Sequence, residues 1–322
     1  MLMLGSLIGL LVMGMAVDTT ALGRTTDEDE DIDNTDDNDS ETDNGGSGGD
    51  GTGNSGGGDG TDGTDGTDEP DGLTRDGTNG ADWLAGADGD DMLSGRDGND
   101  DLHGGLGDDT MLGGRGTDWI YGDDDFGEGG DDSISGGDGD DSLAGQGGDD
   151  TVNGDAGNDS IFGGDGNDLL NGGAGTDWIF GNAGNDTLIA GSGQDDLDAG
   201  EGDDVLVGSA HADRAWLHGD EGDDTLFGGA NDFVEGGAGE DRFVLLEPGA
   251  GIPTIADFTA AEDQIELRYE DDGSGEVPAL SLDRDDEGAT VIRMDGVAVG
   301  RLLNGEGLDV HDIILTAVRP AA

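Results

Sequence analysis

The chain has 322 residues, with 79 acidic and 11 basic side chains, a formal net charge of −68 and only 31% hydrophobic residues. A surface this acidic repels phosphate backbones and anionic headgroups, which argues against nucleic-acid binding and peripheral membrane binding. The chain contains no cysteine, so disulfides and zinc-thiolate sites are excluded. Two interpretations remain: a disordered polyanion, or a chain whose carboxylates bind a cation.

Residues 1–24 form a hydrophobic N-terminal segment, and residues 1–17 carry Ser6 as their single polar side chain. Seventeen apolar residues reach the lower limit for a membrane-spanning helix. Residues 14–16 also match a signal-peptide cleavage pattern, although no basic residue precedes Arg24. An N-terminal membrane anchor, a cleaved signal peptide and neither of these remain open.

Residues 25–76 have the composition of a disordered acidic linker rich in Gly, Asp and Thr. They contain 19 acidic residues, one arginine and no aromatic residue. Such a segment cannot bury enough apolar surface to offset its chain entropy, and charge repulsion keeps it extended.

A nine-residue repeat occupies residues 77–244 in eighteen copies. Two adjacent copies show the pattern, because residues 104–112 are GGLGDDTML and residues 113–121 are GGRGTDWIY. The sixth position is aspartate in every copy: Asp82, Asp91, Asp100, Asp109, Asp118, Asp132, Asp141, Asp150, Asp159, Asp168, Asp177, Asp186, Asp195, Asp204, Asp213, Asp224, Asp232 and Asp241. The eighth position is a large apolar residue in seventeen copies.

Three irregularities interrupt the repeat. Residues 122–126 form a five-residue insertion. The copy at 208–218 is two residues too long, which assigns Asp213 to the aspartate position and Ala215 to the apolar position. The copy at 228–235 is one residue short.

The spacing predicts an all-β fold, a right-handed parallel β-roll. Positions seven to nine form a short strand with one buried side chain, and the glycine-rich hexapeptide reverses the chain because glycine tolerates positive φ. Two copies make one coil, and successive coils stack as parallel strands in two sheets. The handedness follows from the right-handed preference of parallel crossovers.

A cation is needed to complete this fold. One apolar side chain per nine residues cannot offset the entropy of ordering the backbone. Residues 77–244 also carry 42 acidic side chains and 4 arginines, a net charge of −38. Aspartate oxygens and turn carbonyls are ligands that Ca²⁺ prefers, so all eighteen sixth-position aspartates are predicted calcium ligands. If each site draws aspartates from copies n and n+2, eighteen copies allow at most about 16 ions (18 − 2 = 16).

The pattern Gly-Gly-x-Gly-x-Asp-x-apolar-x resembles the nonapeptide of the RTX, or haemolysin-type calcium-binding, family. The resemblance implies a parallel β-roll with calcium between its turns, and export by a type I secretion system that recognises a C-terminal signal. Residues 254–258 and 263–267 are similar to the strand pair that follows the last repeats in this family. Residues 245–322 are therefore expected to form a small β-rich capping and secretion-signal domain. The hydrophobic N-terminus departs from the usual type I substrate.

These features predict a secreted, extracellular or cell-surface protein whose β-roll folds on binding extracellular Ca²⁺, used as an adhesion, matrix or structural module. The alternative is the export and folding module of a secreted hydrolase or toxin-like protein. An enzyme would need a further domain, and neither the linker nor the 78-residue tail has the size or residues for one. The chain is therefore not expected to be an enzyme.

The outward residues at positions seven and nine predict an aromatic face. Odd-numbered copies share one sheet if the insertion loops out without changing sides. Their outward residues include Trp83, Trp119, Tyr121, Phe162, Trp178 and Phe180. Phe162 and Phe180 are one coil apart and should stack at about 4.8 Å. This face is a candidate surface for a protein or glycan partner, unless the terminal domain or the N-terminal segment covers it.

Overall fold

The computed structural model describes residues 72–123, 129–209, 213–245, 251–270 and 276–318. These residues form two large β-sheets, and their one helix is a single 3₁₀ turn at Val310–Asp312. None of the described helical structure is long and apolar enough to cross a membrane. The predicted N-terminal segment and residues 25–71 of the predicted linker lie outside the described residues.

The strands alternate between the two sheets along the chain. The fourteen-stranded sheet contains β1 (Thr74–Asp76), β3 (Met92–Asp97), β5 (Thr110–Arg115), β7 (Ser133–Asp138), β9 (Thr151–Ala156), β11 (Leu169–Asn171), β12 (Ala174–Gly175), β14 (Thr187–Ile189), β15 (Ser192–Gly193), β17 (Val205–Val207), β19 (Thr225–Gly228), β21 (Arg242–Leu245), β23 (Gln264–Glu270) and β27 (Ile313–Val318). The thirteen-stranded sheet contains β2 (Trp83–Ala85), β4 (Asp101–Gly105), β6 (Trp119–Asp123), β8 (Ser142–Gly147), β10 (Ser160–Asp165), β13 (Trp178–Ala183), β16 (Asp196–Glu201), β18 (Trp216–Glu221), β20 (Phe233–Glu235), β22 (Thr254–Ile255), β24 (Leu280–Arg284), β25 (Thr290–Met294) and β26 (Val297–Leu302).

Neighbouring strands of the repeat region are parallel and one coil apart. Ile161 of β10, for example, pairs with Leu143 of β8 and Ile179 of β13. The eighth-position side chains of both sheets meet in one buried core, which includes Leu102, Ile120, Ile161, Leu170, Ile179 and Leu188. The predicted parallel β-roll is confirmed.

The turns require glycine where stacked coils approach closely. Gly116, at the fourth position of its copy, has φ +138°, which L side chains rarely adopt. A Cβ on Gly116 would collide with the carbonyl oxygen of Gly98 in the preceding coil. The glycines therefore allow carbonyl oxygens to be packed between the coils.

The insertion preserves the alternation of sheets. Trp119 of β6 pairs with Ser142 of β8, so both copies lie on the same sheet. Asp123 remains in β6 and stands opposite Gly105. The five extra residues therefore follow Asp123, and the prediction that residues 122–126 form the insertion was wrong, because strand pairing continues through Asp123.

The first strand lies in the region assigned to the linker. Thr74–Asp76 pairs in parallel with residues 92–94 of β3. The main-chain N–H of Leu73 donates to the Asp91 carboxylate in the next coil. Residues 73–76 thus pair with the first full coil, although the apolar position of this strand holds Arg75.

The C-terminal strands extend both sheets. β23 pairs in parallel with β21, and β27 pairs with β23. On the other sheet β22 pairs with β20, and the antiparallel strands β24–β25–β26 follow it. Asp295 and Gly296, both with positive φ, form the two-residue turn between β25 and β26. Buried Glu266 of β23 forms ion pairs with Arg242 and Arg268, joining this region to the last repeat strand.

Candidate metal centre

The sixth-position aspartates form two hydrogen-bonded rows along the roll. The main-chain N–H of Asp150 donates to Oδ1 of Asp168, and that of Asp168 donates to Oδ1 of Asp186, each over 2.8 Å. The same bond joins aspartates one coil apart along most of the roll, over 2.6–3.1 Å. One oxygen of each accepting carboxylate is therefore occupied by a main-chain donor.

The second carboxylate oxygen, Oδ2, is buried and has no hydrogen-bond partner in thirteen of these aspartates. They are Asp100, Asp109, Asp118, Asp132, Asp141, Asp150, Asp159, Asp168, Asp177, Asp186, Asp195, Asp204 and Asp224. Each of the thirteen is at most 3% exposed. A buried carboxylate oxygen without a partner opposes folding, and a bound cation would satisfy it.

Ten of these oxygens lie beside a main-chain carbonyl oxygen at a first-position glycine. A Cβ on Gly163 would collide with Oδ2 of Asp168 and would lie 2.8 Å from the carbonyl oxygen of Gly181, one coil further on. The same three-part arrangement recurs at Gly95, where Asp100 and Gly113 supply the two oxygens. First-position glycine therefore leaves a space lined by one carboxylate oxygen and one carbonyl oxygen from adjacent coils.

The donor set suits a hard divalent cation. Among the described residues, no three His, Asp or Glu side chains are placed to hold one metal ion together. The oxygens that lie beside these carboxylates are main-chain carbonyls, which can coordinate a cation. Ca²⁺ accepts carbonyl oxygens in flexible geometry, whereas Mg²⁺ demands near-octahedral geometry and retains waters. The residues present thus fit Ca²⁺, whose charge would neutralise the rows.

Burial raises the pKa values of the row carboxyls. In the metal-free roll burial raises the pKa of Asp132 to about 8, with repulsion from Asp123 adding to the effect. Burial likewise raises the pKa values of Asp150 and Asp159 to about 7, against the opposing effect of the main-chain N–H bond. Ionising the buried row carboxyls therefore costs free energy, and a bound cation would offset that cost.

This geometry agrees with the comparison to known families. A family model described as the RTX calcium-binding nonapeptide repeat (4 copies) matches nine segments that together cover residues 76–243, just over half of the chain. The chain belongs to the RTX calcium-binding nonapeptide-repeat family. RTX repeats generally bind calcium and are typical of secreted proteins.

No curated protein matches the chain. Among solved structures, the extracellular lipase LipA from Serratia marcescens is similar over 74% of this chain, with 17% identity and a TM-score of 0.20. The match covers 39% of the lipase chain. A TM-score this low supports no argument about fold or activity.

The RTX register differs from the sequence prediction at one copy. Ala215 occupies the aspartate position, since its N–H donates to Oδ1 of Asp232 as the row aspartates do. Leu217 pairs with Leu197 and fills the buried apolar position, and Asp213 is exposed outside the rows. The predicted register was wrong here because the two extra residues precede Ala215, which the spacing alone could not decide.

The remaining predicted aspartates lie in the rows, and three of them have a donor at Oδ2. Asp82 accepts from Thr78, Asp91 from Ala87 and Asp232 from Gly229. Asp82 and Asp91 belong to the first two copies, and Asp232 belongs to the copy that is one residue short. These three positions therefore differ locally from the repeated arrangement.

Sequence reasoning missed one member of the rows. The N–H of Asp241 donates to Oδ1 of Asp263 over 3.2 Å, which continues the row that contains Asp168 to the residue before β23. The signal was present, because Asp263 precedes buried Ile265 by two residues, as in every regular RTX copy. Asp123, a buried carboxylate at the second position of its copy, was also missed.

The predicted aromatic face is formed on the thirteen-stranded sheet. All six predicted aromatic residues lie on strands of this sheet, and Trp83, Trp119, Trp178 and Phe162 are exposed. The rings of Phe162 and Phe180 stack with centroids 5.1 Å apart and an interplanar angle of 9°. His103 stacks on Tyr121 in the same column of the sheet. The described C-terminal residues do not cover the four exposed side chains, which are those of Trp83, Trp119, Phe162 and Trp178.

Proposed function

We propose that this chain is a secreted, extracellular calcium-binding protein whose β-roll folds when it meets calcium. The observation that carries the proposal is the set of thirteen buried, unpartnered aspartate oxygens. Burying so many uncompensated carboxylates would oppose folding, whereas calcium would satisfy their oxygens and neutralise their charge. Binding energy would then become folding energy.

The proposed ligands are the predicted aspartates other than Asp213, together with Asp263. Row hydrogen bonds link aspartates one coil apart, and Asp263 extends the row that contains Asp168 beyond the repeats. Each ion would be held by aspartate and carbonyl oxygens of stacked coils, which keeps the number of ions at or below about sixteen. The exposure of Asp213 removes it from this set.

The proposed setting follows from calcium availability. Extracellular modules typically bind calcium at about 10⁻⁴–10⁻³ M, so the chain would remain unfolded at the low calcium concentration of a cytosol. A chain that stays unfolded until it is exported suits type I secretion. We place the capping and secretion-signal role in residues 245–322, where the strands after β21 extend both sheets beyond the last repeats.

Circular dichroism during a calcium titration of the full chain tests this function. The calcium-free chain at pH 7.5 should show little β signal, and the signal should rise cooperatively at about 10⁻⁴–10⁻³ M Ca²⁺. Magnesium at the same concentrations should have little effect. A full β signal in the absence of calcium would contradict the proposal.

We favour a binding module for adhesion or a matrix over an export module of an enzyme, and we do not assign catalysis to this chain. The exposed aromatic face supports a binding role. Across β6, β8, β10 and β13, no outward residue at positions seven and nine is charged: Trp119, Tyr121, Ser142, Ala144, Ser160, Phe162, Trp178 and Phe180. On so acidic a chain, this uncharged face fits a neutral polysaccharide, whose rings stack on aromatic side chains and whose hydroxyls hydrogen-bond to serines.

Affinity electrophoresis through a gel containing a neutral polysaccharide would test the binding role, with calcium present throughout. Trp119→Ala and Trp178→Ala should each lose most of the retardation that the wild-type chain shows. Leu112→Ala is the matched control, because Leu112 is exposed on the opposite sheet. If neither tryptophan variant differs from the control, the aromatic face is not the binding surface and the export-module alternative is favoured.

A further inference from the structure

Three consecutive copies of the repeat carry an alanine where a regular copy carries glycine or aspartate. The first position is glycine in every other copy, but it is Ala190 and Ala199 in two adjacent copies. In the copy that follows them, Ala215 occupies the aspartate position. All three alanines are fully buried. These departures from the repeat therefore fall in neighbouring coils of the roll.

Strand register places the Ala199 methyl group where a regular copy leaves a space. Ala199 of β16 stands in register between Gly181 of β13 and Gly219 of β18. A Cβ on Gly181 would collide with Oδ2 of Asp186 and would lie 2.5 Å from the carbonyl oxygen of Ala199. One coil further on, the equivalent space beside Asp204 is therefore filled by a methyl group.

Ala190 takes the same place in the other row. The N–H groups of Gly172 and Ala190 each donate to the carbonyl oxygen just before the first position of the next coil, over 3.0 and 2.9 Å, so the two residues are equivalent. A Cβ on Gly172 would lie 2.6 Å from Oδ2 of Asp177. The Ala190 methyl group is thus placed beside the Asp195 carboxylate.

These alanines change what a cation would meet. Oδ2 of Asp195 and Oδ2 of Asp204 are buried without a hydrogen-bond partner, like the regular row oxygens. A methyl group fills the space that a cation would enter beside each of them, and a methyl carbon is not a ligand for calcium. At Ala215 the carboxylate itself is missing. The three positions therefore offer a cation either less space or one ligand fewer.

We propose that the three alanines interrupt the array of calcium ions, so that calcium fills the positions at Ala190 and Ala199 last. This inference rests on the proposed calcium-dependent folding. The methyl groups lower the calcium affinity of these two positions at least about tenfold relative to the regular ones. Because each coil contacts only its neighbours, the weakly filled coils between β13 and β19 separate two parts of the roll that fold at lower calcium.

Calorimetric calcium titration of the full chain tests the inference. The wild-type chain should show a late phase of about two ions, at least about tenfold weaker than the main phase. An Ala190→Gly, Ala199→Gly variant should move these ions into the main phase. Ala183→Gly, at a half-buried third position, is the matched control and should retain the late phase. Indistinguishable titrations of the two variants would overturn the inference, while absence of calcium binding in the wild-type chain would instead overturn the proposed function.

Hydrogen exchange of the wild-type chain locates the weak coils without any substitution. At a calcium concentration between the two phases, amides of β14, β16 and β17 should still exchange rapidly, whereas those of β9 and β10 should already be protected. At saturating calcium all of these strands should be protected. Simultaneous protection of the two groups of strands as calcium rises would overturn the inference, even if the glycine variant failed to fold.

Discussion

The main-chain N–H of Asp150 donates to Oδ1 of Asp168, one coil further along the chain, over 2.8 Å. This bond orients the Asp168 carboxylate so that its Oδ2 lies beside the carbonyl oxygen of Gly181, at the space left by Gly163. One aspartate therefore serves two coils: it accepts from the preceding coil and faces a carbonyl of the next. The same relationship, repeated along both rows, would couple each proposed calcium position to its neighbours.

Replacement of a row aspartate should therefore affect more than one ion. Asp168→Ala removes the acceptor for Asp150 and the unpartnered oxygen beside Gly181. We expect the loss of about two bound calcium ions and about 1–3 kcal/mol of the free energy of unfolding at saturating calcium. Calorimetry would give the stoichiometry and urea unfolding the stability.

Asp213→Ala is the matched control for this experiment. Asp213 is exposed outside the rows, so its replacement should change the free energy of unfolding by no more than about 0.5 kcal/mol. Equal losses of calcium in the two variants would contradict the assignment of the rows.

The pH dependence should have opposite signs with and without calcium. In the metal-free roll the pKa of Asp132 is about 8 and that of Asp150 about 7, above the ordinary value of 3.8. Between about pH 4 and pH 8, the folded state therefore binds more protons than the unfolded state. This contribution to folding is fully present below about pH 4 and is lost as the pH rises through 7 to 8. The calcium-free chain should gain β signal when the pH is lowered from 8 to 5.

Calcium binding should weaken as the pH falls over the same interval, because the ligands must lose protons before they bind the metal. Where the calcium-free chain is already folded with protonated row carboxyls, the calcium concentration at half-saturation should rise by about tenfold per unit fall in pH for each proton that one ion displaces. Circular dichroism titrations at pH 5.5, 6.5 and 7.5 would measure both effects. A calcium midpoint independent of pH would show that the row carboxyls are already ionised in the metal-free state.

Much of this fold could be predicted because the repeat constrains it strongly. The nine-residue period placed Leu170 and Leu188 in the core and Phe162 beside Phe180, and these relationships are present. Asp213 was misplaced because spacing does not show on which side of a position two extra residues lie. In the structure the pairing of Trp216 with Asp196 decides this register.

The arrangement of the proposed calcium ligands was predicted less completely than the fold. The period identified the carboxylates, but the bond from Asp150 to Asp168 depends on how the coils stack in three dimensions. Asp123 could not have been found from the motif, since second-position residues are exposed elsewhere, as Asp155 is. Its backbone also lacks the positive φ that Asp155 has.

The close approach of stacked turns predicts a strong difference between two fourth-position glycines. A Cβ on Gly116 would collide with the Gly98 carbonyl oxygen, and its φ of +138° disfavours alanine. Gly80 occupies the same position in the first copy, and a Cβ there would meet nothing within 4 Å. At saturating calcium, Gly116→Ala should lower the free energy of unfolding by more than about 1 kcal/mol, and Gly80→Ala by less than about 0.5 kcal/mol. Similar urea midpoints for the two variants would show that the turns can separate to admit a side chain.

The last prediction concerns whether another part of the chain covers the aromatic face. Trp178 is 51% exposed and Phe180 stacks on Phe162 at the surface of the sheet. A Trp178→Ala, Phe180→Ala variant should therefore fold with an unchanged calcium midpoint, losing only the contribution of one stacked pair, about 0.5–1.5 kcal/mol. The matched control is Leu170→Ala, which removes a fully buried eighth-position side chain on the opposite sheet and should cost about 2–5 kcal/mol. Calcium titrations followed by circular dichroism would compare the three proteins. If the double variant is destabilised as strongly as Leu170→Ala, the face is covered by another segment of the chain and is not free to bind a partner.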